Sequence, residues 1–498
     1  MTVPGEWGGQ ATFWAAVGHM AIFAGVALHL LRHRRRADST LLWLLAAWSL
    51  PVAGGVLYAM FGVDRVPKAR WRRVDARRSG LQKAREGGAA ADQAGGAWRG
   101  VGDAAAVPKD PWCARVDRSL GILAGGVPLL GGNKITPLLT GDEAFPKMLA
   151  AIREARRHVH IQSFIIGNDA TGREFMDAAA EKAEEGVRVR VLYDRFGSSE
   201  ALWSGFFRRY KGVPNLSVAG WTQANLFRRQ LQFNLRNHRK LLVADGRIAF
   251  VGGCNLHDAE RSRGGRKAIQ DYHFRVLGPV VGELQYGFLQ DWHMMTGEAA
   301  ETLLDAGNFR ASPGAGGDLA RVVHSGPTAA MNSAADLYFQ AVCEAERSVR
   351  LITPYFLPGD DLLRALRMAA LRGVSVELVV PAKSNHWYTT WAGRALYDDL
   401  LEAGVRLYER KPPFVHAKAM VVDGRMAVVG TANLDWRSLA SNFETSLVVY
   451  GTDFASRVGM FIREDRLASR RISLREFKAR PVWHRYLENA CGLLAPLL

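Results

Sequence analysis

The chain has 498 residues, 48% of them hydrophobic, so it is too long for one ordinary domain and too apolar for a mostly disordered protein. Its 65 Lys and Arg against 48 Asp and Glu give a net charge of +17, which favours polyanionic partners, either nucleic acid or an anionic membrane surface. The four cysteines are scattered without metal-ligand spacing and indicate neither a disulfide framework nor a zinc site.

The amino terminus contains two uncharged runs. Residues 11–31 and 41–63 contain no Asp, Glu, Lys or Arg, and each is long enough to cross the roughly 30 Å core of a bilayer as a helix. Pro51 is expected to kink the second helix. Residues 1–63 are therefore predicted to form a two-helix transmembrane hairpin. A cleaved signal peptide is disfavoured because Glu6 is the only charged residue among the first ten and because a second run follows.

Residues 64–110 are predicted to be a linker. The first part is rich in Lys and Arg and suits contact with anionic lipid, while the later Gly- and Ala-rich part suits a flexible tether. Arginines at 32 and 34–36 lie between the two runs and further basic residues follow the second run, so the positive-inside rule leaves the orientation of the hairpin open. The anchor favours a membrane surface over nucleic acid as the anionic partner.

A sequence repeat dominates the rest of the chain. The segments NHRKLLVADGRIAFVGGCN and VHAKAMVVDGRMAVVGTAN share their polar and glycine positions: counted from each His, Lys follows by two residues, Asp by seven, Gly by fourteen and Asn by seventeen. Five coinciding positions make chance agreement remote. The matched residues are His238, Lys240, Asp245, Gly252 and Asn255 in the first copy and His416, Lys418, Asp423, Gly430 and Asn433 in the second.

The similarity extends upstream of both motifs. VHIQSFIIGND in one half is echoed by VRLITPYFLPGDD in the other, and alternating apolar strands, such as Val187–Tyr193 and Val374–Val380, follow stretches with a helical pattern. The fold class is predicted to be α/β, with two duplicated mixed-sheet domains at residues 111–310 and 311–498.

The residue types of the repeat suit phosphoryl transfer. In an extended H-x-K segment the alternation of side chains places His and Lys on one face. Two facing clusters would supply two imidazoles, two ammonium groups and two amides around one phosphate, which is sufficient for transfer without a metal or another cofactor. A lone H-x-K would more often be an ordinary surface strand, whereas two copies at one spacing favour function.

Other polar residues are less specific. The spacing keeps Asp245 and Asp423 in the candidate catalytic set, although each lies in an Asp-Gly pair that favours a plain β-turn. Five further histidines lack a matched partner and are predicted to be ordinary polar or packing residues: His160, His257, His293, His324 and His386.

These motifs resemble the duplicated signature of the phospholipase D superfamily, H-x-K-x(4)-D-x(6)-G-[GST]-x-N. Within it the chain is similar over nearly its whole length to bacterial cardiolipin synthases, through segments such as NLRNHRK, TPYFLPGDDLL and GTANLDWRSLASNFE. The resemblance implies that the two domains form one shared active site, that no metal or cofactor is needed, and that the protein is a multi-pass protein of the bacterial inner (cytoplasmic) membrane. No nucleic-acid partner is expected.

The resemblance also implies a reaction and residue roles. A histidine would attack one phosphatidylglycerol, giving a phosphohistidine lipid and glycerol, and a second phosphatidylglycerol would accept the phosphatidyl group. The nucleophile maps onto His238 and the acid/base onto His416, with Lys and Asn holding the phosphoryl oxygens. The implied supporting residues are Lys240, Lys418, Asn255 and Asn433, together with Glu444 and Asp271 as the acids that orient the histidines.

The two acids do not occupy matched positions. Glu444 follows Asn433 by eleven residues, whereas Asp271 follows Asn255 by sixteen, so the loop 256–270 departs from the family pattern. Three other functions share this chemistry: hydrolysis of the intermediate by water, transfer to a different acceptor alcohol, and cleavage of DNA. The hairpin disfavours the nuclease and the synthase-like segments disfavour the hydrolase.

Two basic-aromatic stretches, residues 206–212 and 225–240, fit a lipid interface. The alternative for both is a solvated charged helix with a packed aromatic face.

Overall fold

The computed structural model describes residues 6–32, 37–59, 105–124, 127–221, 236–305, 308–309, 313–326 and 333–493. Most of the predicted linker, 64–110, and of the basic-aromatic stretch 225–240 lies outside these ranges. The chain divides into two units, Met1–Arg73 and Val74–Leu498.

The amino-terminal unit contains helices α1 (Glu6–Arg32), α2 (Ala37–Ser49) and α3 (Ala53–Leu57). The segment Thr12–Arg32 of α1 is long and apolar enough to cross a membrane, whereas the apolar segment Ser39–Ser49 is shorter. The second predicted span is thus interrupted at Pro51, because proline removes a helical hydrogen bond and clashes with the preceding turn. Side chains of α1 and α2 still pack together with Tyr58, which follows α3, around Val26, Leu30 and Ala47.

The second unit alternates helices and strands. Its helices are α4 (Pro111–Leu123), α5 (Thr140–Glu154), α6 (Ala170–Glu184), α7 (Ser199–Trp203), α8 (Val280–Thr296), α9 (Ala300–Leu303), α10 (Ser333–Cys343), α11 (Asp360–Leu371), α12 (Trp387–Arg394), α13 (Tyr397–Glu402), α14 (Trp436–Ala440), α15 (Thr452–Leu467), α16 (Leu474–Lys478) and α17 (Val482–Leu493). Short 3₁₀ helices lie at Phe206–Tyr210 and Asp258–Glu260.

The strands of the first half are β1 (Leu130–Leu139), β2 (His158–Ser163), β3 (Arg188–Asp194), β4 (Leu216–Trp221), β5 (Leu241–Ala244), β6 (Ile248–Gly252) and β7 (Tyr272–Leu277). Those of the second half are β8 (Asp318–Ser325), β9 (Ser348–Ile352), β10 (Phe356–Leu357), β11 (Ser375–Pro381), β12 (Arg406–Arg410), β13 (Ala419–Val422), β14 (Met426–Gly430), β15 (Leu434–Asp435), β16 (Glu444–Tyr450) and β17 (Ser469–Ile472).

Fifteen of the described strands form one sheet, in the order β17-β12-β11-β9-β13-β14-β16-β8-β1-β7-β6-β5-β2-β3-β4. From the central antiparallel pair β8–β1 outward, β8-β16-β14-β13-β9-β11-β12 corresponds strand for strand to β1-β7-β6-β5-β2-β3-β4. Parallel pairs such as β2–β3 and antiparallel pairs such as β2–β5 occur in the same half. The predicted duplicated α/β fold with mixed sheets is confirmed.

Each half has its own apolar core under the sheet. One core is built around Phe145, Phe175 and Phe250, and the other around Leu337, Leu378 and Val428. Helix α4, at the start of the predicted first domain, packs into the core of the second half through Val116 and Leu120. Helix α4 thus belongs to the core of the second half although it precedes the strands of the first half in the chain, and the division at residue 310 stays a prediction.

Candidate active site

The two H-x-K segments lie immediately before matching central strands. His238 and Lys240 precede β5, and their counterparts precede β13, so these side chains stand at the end of a strand rather than within it. Both strands are buried along their whole length, which anchors the segments. Between the two motif residues, Arg239 is turned to the opposite side, where its Nη1 lies 2.7 Å from Oδ2 of Asp291.

Backbone hydrogen bonds join each H-x-K segment to the other half of the chain. The N–H of His238 donates to the carbonyl of Phe443 at 3.0 Å, and the N–H of His416 donates to the carbonyl of Gln270 at 2.7 Å. The residue that follows each of these acceptors is an acid. The approximate two-fold symmetry of the sheet thus places one carboxylate beside each histidine.

The two carboxylates are exchanged between the halves. Nδ1 of His238 lies 3.0 Å from Oε1 of Glu444, which belongs to the second half. Nδ1 of His416 lies 2.7 Å from Oδ2 of Asp271, which belongs to the first half. An Nδ1–H that donates to a carboxylate fixes the neutral tautomer whose Nε2 carries a lone pair. Both histidines can therefore present Nε2 to a substrate, and the longer loop 256–270 leaves Asp271 in register.

Small residues in the motif make room for these acids. A Cβ on Gly253 would lie 2.0 Å from Oδ1 of Asp271, so the first half requires glycine there. The second half has Thr431 at the matching position, and its hydroxyl donates to Oε2 of Glu444 at 2.5 Å. The Gly-Gly and Gly-Thr pairs of the two motifs therefore serve the orienting acids in different ways.

The two motif lysines are buried beside the histidines. Nζ of Lys240 donates to the carbonyl of His238 at 2.7 Å, and Nζ of Lys418 donates to that of His416. Burial lowers the pKa of Lys240 to about 7, and burial also lowers the pKa of Lys418. A bound phosphodiester would favour the charged ammonium groups, because an anion close to a buried amine raises its pKa.

A cavity of about 400 Å³ opens in front of the histidines and is lined by residues of both halves. His238, His416, Asn255 and Asn433 are on its wall. Its volume lies in the range of small-molecule sites. The structure thus brings together all of the predicted site residues except the two motif aspartates.

Burial also sets the charge of the imidazoles. It lowers the pKa of His238, an effect that Glu444 opposes, and together with Lys418 it lowers the pKa of His416 to about 3. Burial would raise the pKa of Glu444, but His238 beside it brings the net value below the usual range. Both imidazoles are therefore neutral near pH 7 before substrate binds, a state that suits a nucleophile. An anionic substrate would raise the pKa of a nearby imidazole, so that one of the two histidines can carry a proton.

Asp245 and Asp423 lie at the far ends of β5 and β13, away from the cavity. Each occupies a hairpin turn with φ of +54°. The carboxylate of Asp423 accepts three backbone N–H groups, those of Glu346, Arg347 and Ser348, at 2.7–2.9 Å. Asp245 accepts the three at residues 156–158 in the same way. Their assignment to the catalytic set is corrected: they hold the chain entering β2 and β9, the role that the Asp-Gly pairs favoured.

Replacing Asp423 by alanine is expected to destabilise the fold rather than the chemistry. Three N–H groups would lose a charged acceptor, at about 2–3 kcal/mol in free energy of unfolding. Thermal unfolding in detergent should show a lower midpoint, while the turnover of the folded fraction stays close to that of the unaltered chain. A stable Asp423→Ala protein with no turnover would return the residue to the catalytic set.

Several cavity residues escaped the sequence prediction. Glu260 is fully buried on the wall, its Oε1 accepts the N–H of Asn255 at 3.1 Å, and burial together with Asp271 raises its pKa. The side-chain atoms of Cys254, Glu260 and Asp271 that could coordinate a metal ion lie within 4.8 Å of one another. The repeat gives no signal for Glu260, because the matching position five residues beyond Asn433 is Ser438.

The cavity wall also includes residues that sequence spacing did not single out. His257 and His386 were predicted to be ordinary polar residues but line the cavity, together with Arg236 and Arg437. The rings of Tyr355 and His416 are in an edge-to-face arrangement. These residues come from separate segments of the chain, so no periodicity connects them.

The chain is similar in sequence to known protein families and to individual proteins. A family model described as "Cardiolipin synthase, PLD-like domain" matches residues 148–263 and 338–465, and one described as "Phospholipase D-nuclease N-terminal" matches residues 21–62. A protein named cardiolipin synthase from Geobacillus kaustophilus is 32% identical over 480 residues, which cover 95% of this chain and 91% of the relative. The major cardiolipin synthase ClsA of Bacillus subtilis is 32% identical, covering 94% of this chain and 95% of the relative.

Among solved structures, a phosphatidylserine synthase from Haemophilus influenzae has the same fold. It matches with a TM-score of 0.60 at 15% identity, covering 77% of this chain and 100% of that chain. Two motif copies on a duplicated sheet, family models on both halves and relatives aligned over almost the whole length agree. The chain belongs to the cardiolipin synthase family of the phospholipase D superfamily and is an enzyme of the phosphatidyltransferase type.

Proposed function

We propose that this enzyme synthesises cardiolipin, transferring the phosphatidyl group of one phosphatidylglycerol to another with release of glycerol. The observation that carries the proposal is the pair of histidines on one cavity, each held at Nδ1 by an acid of the opposite half. Such a pair supplies a nucleophile on one side of a phosphate and a proton donor on the other.

In the first step Nε2 of His238 attacks phosphorus. A P–N bond forms as the bond from phosphorus to the glycerol oxygen breaks, and that oxygen takes a proton from Nε2 of His416. Lys240 and Lys418 lie beside the two histidines, where their positive charge stabilises the charge that builds on the phosphoryl oxygens. The product is a phosphatidyl group bonded to His238.

In the second step each histidine reverses its role: His416 acts as a base and His238 as the leaving group. A hydroxyl of a second phosphatidylglycerol gives its proton to the now neutral His416 while its oxygen attacks phosphorus. The P–N bond breaks and His238 regains its lone pair. Asn255 and Asn433, on the cavity wall, are proposed to hold the phosphoryl oxygens in both steps.

We also propose that the enzyme works at the inner membrane of a bacterium, on an anionic lipid surface. Thr12–Arg32 supplies an apolar helix of spanning length, and the net charge of +17 favours anionic lipid. A lipid substrate that remains in the bilayer makes such an attachment useful, because both phosphatidylglycerols then reach the site by lateral diffusion.

The reaction is tested by incubating the purified full-length protein with phosphatidylglycerol alone and identifying the lipids by mass spectrometry. We expect cardiolipin and glycerol in equal amounts, with and without a metal chelator. Phosphatidic acid as the main product would indicate a hydrolase instead. Loss of activity with the chelator would count against the metal-free mechanism and direct attention to Cys254, Glu260 and Asp271.

A further inference from the structure

Two arginines from different halves lie on the wall of the catalytic cavity. Arg236 precedes His238 by two residues, and Arg437 is on α14, four residues after Asn433. Both are half-buried. They are close enough that Arg437 contributes to lowering the pKa of Arg236 to about 10, after the larger effect of burial.

Arg236 and Arg437 together form what we call the arginine corner. This corner breaks the two-fold symmetry of the site. By the spacing of the repeat, Phe414 corresponds to Arg236 and Ala259 corresponds to Arg437. Both arginines lie on one approach to the histidines, beside Asp435, whereas the related approach has Phe414 and Ile269 on the cavity wall and Arg266 and Lys267 in the adjoining pocket. Catalysis by a symmetric pair of motifs does not require this difference, so the arginines serve something outside the motifs.

The guanidinium of Arg236 is held in place. Its central carbon lies 3.3 Å from the centroid of the Phe196 ring, a stacked arrangement that leaves the N–H edge of the plane to bind an anion. Burial lowers the pKa of Arg437, and the carboxylates of Asp435 and Asp194 oppose that effect. Both carboxylates also accept backbone N–H groups. Asp194 accepts the N–H groups of Phe196, Gly197 and Asn237, and Asp435 accepts that of Ser438 at 2.7 Å.

Two neighbouring, partly desolvated arginines are suited to one phosphodiester, which guanidinium groups bind through paired hydrogen bonds. The motifs already provide for the phosphate that reacts. In the proposed function the acceptor carries a second phosphate, joined to the attacking hydroxyl through its glycerol. We propose that Arg236 and Arg437 bind this acceptor phosphate and so favour an anionic phospholipid over water or a neutral alcohol. This inference rests on the proposed function.

The test compares two acceptors that share one donor. Full-length protein in mixed micelles of phosphatidylglycerol receives labelled glycerol, and both cardiolipin formation and exchange of glycerol into phosphatidylglycerol are measured. Glycerol carries no phosphate. In the double variant Arg236→Gln/Arg437→Gln, we expect the ratio of cardiolipin formation to exchange to fall about tenfold or more, with a higher KM for the acceptor lipid.

Matched variants show whether a lower ratio comes from losing a binding site at Arg236 and Arg437 or from losing positive charge anywhere on the protein. Arg153→Gln removes the same charge from an exposed position outside the cavity and is expected to keep the original ratio. Arg236→Lys and Arg437→Lys preserve the charge but lose the planar guanidinium. Their ratio of cardiolipin formation to exchange is expected to lie between those of the unaltered enzyme and the double variant. They also serve if the double variant does not fold. A parallel loss of both reactions, or an unchanged ratio, would overturn the inference.

A second readout does not depend on cardiolipin being the product. Hydrolysis of a p-nitrophenyl phosphodiester is measured with sn-glycerol 3-phosphate or inorganic phosphate as inhibitor. We expect sn-glycerol 3-phosphate to inhibit the unaltered enzyme, and about tenfold more to be needed in the double variant. Equal weakening for inorganic phosphate would show that the corner recognises phosphate alone; equal inhibition in both proteins would overturn the site. If the unaltered enzyme makes no cardiolipin, the proposed function fails while this readout still decides the arginine site.

Discussion

Replacing His238 by asparagine is expected to abolish the covalent phosphatidyl-enzyme and to reduce cardiolipin synthesis by at least roughly 10⁴-fold, because no other group takes over the attack on phosphorus. His416→Asn is expected to fail differently, since losing the proton donor mainly slows departure of the first alcohol. With a p-nitrophenyl phosphodiester, whose leaving group needs no proton, the His416→Asn enzyme should still form the intermediate slowly.

The measurement uses donor lipid labelled at phosphorus, with rapid denaturation and detection of acid-labile label on the protein. The two variants control for each other, because both replace a cavity-lining imidazole that is held by a buried acid. Label mapped to His416 in the unaltered enzyme would reverse the two roles while leaving the paired-histidine mechanism in place. Equal labelling of both variants would reject a single nucleophile.

Removing either orienting carboxylate is expected to reproduce the defect of the histidine in the opposite half. Glu444→Gln should behave as a weaker form of His238→Asn, and Asp271→Asn as a weaker form of His416→Asn. An amide does not enforce the tautomer or stabilise the charged imidazole, and losses of about 10²- to 10⁴-fold in kcat follow where an acid orients a catalytic histidine. Asp271→Asn should therefore recover substantially with the p-nitrophenyl donor, whereas Glu444→Gln should not.

Thr431→Val provides a matched control for Glu444. It keeps the carboxylate but removes the hydroxyl that donates to Oε2 at 2.5 Å, so a loss of no more than about tenfold is expected. Thermal unfolding of all three variants identifies loss of fold. If the activity of Glu444→Gln instead recovers with the p-nitrophenyl donor, the pairing of acids and histidines across the halves does not determine which histidine is the nucleophile and which is the proton donor.

Spacing in the sequence was sufficient to find the duplicated fold and the two motifs that meet at one cavity. His238 and His416, with their lysines and asparagines, have one pattern in both halves, and a local pattern is preserved when the chain folds because each motif is anchored by its own buried strand. The Asp-Gly pairs were also sufficient to predict that Asp245 and Asp423 lie in turns, because a turn is a local structure. There the superfamily pattern, which includes the aspartates, led to a catalytic assignment that the geometry corrects.

The pairing of each acid with a histidine depends on the tertiary structure. Asp271 and Glu444 stand at unequal distances from their asparagines, yet both follow a residue whose carbonyl accepts the N–H of the opposite histidine. Strand register, rather than loop length, sets that contact.

The same reasoning applies to Glu260 and to the arginine corner. Arg236 and Arg437 are about two hundred residues apart in the chain and meet because the two halves face one cavity. The fold class and the two motifs at the cavity thus follow from the sequence alone, because both depend on local pattern. The surroundings of those motifs depend on packing between distant segments, and one sequence does not encode that packing as any regular spacing.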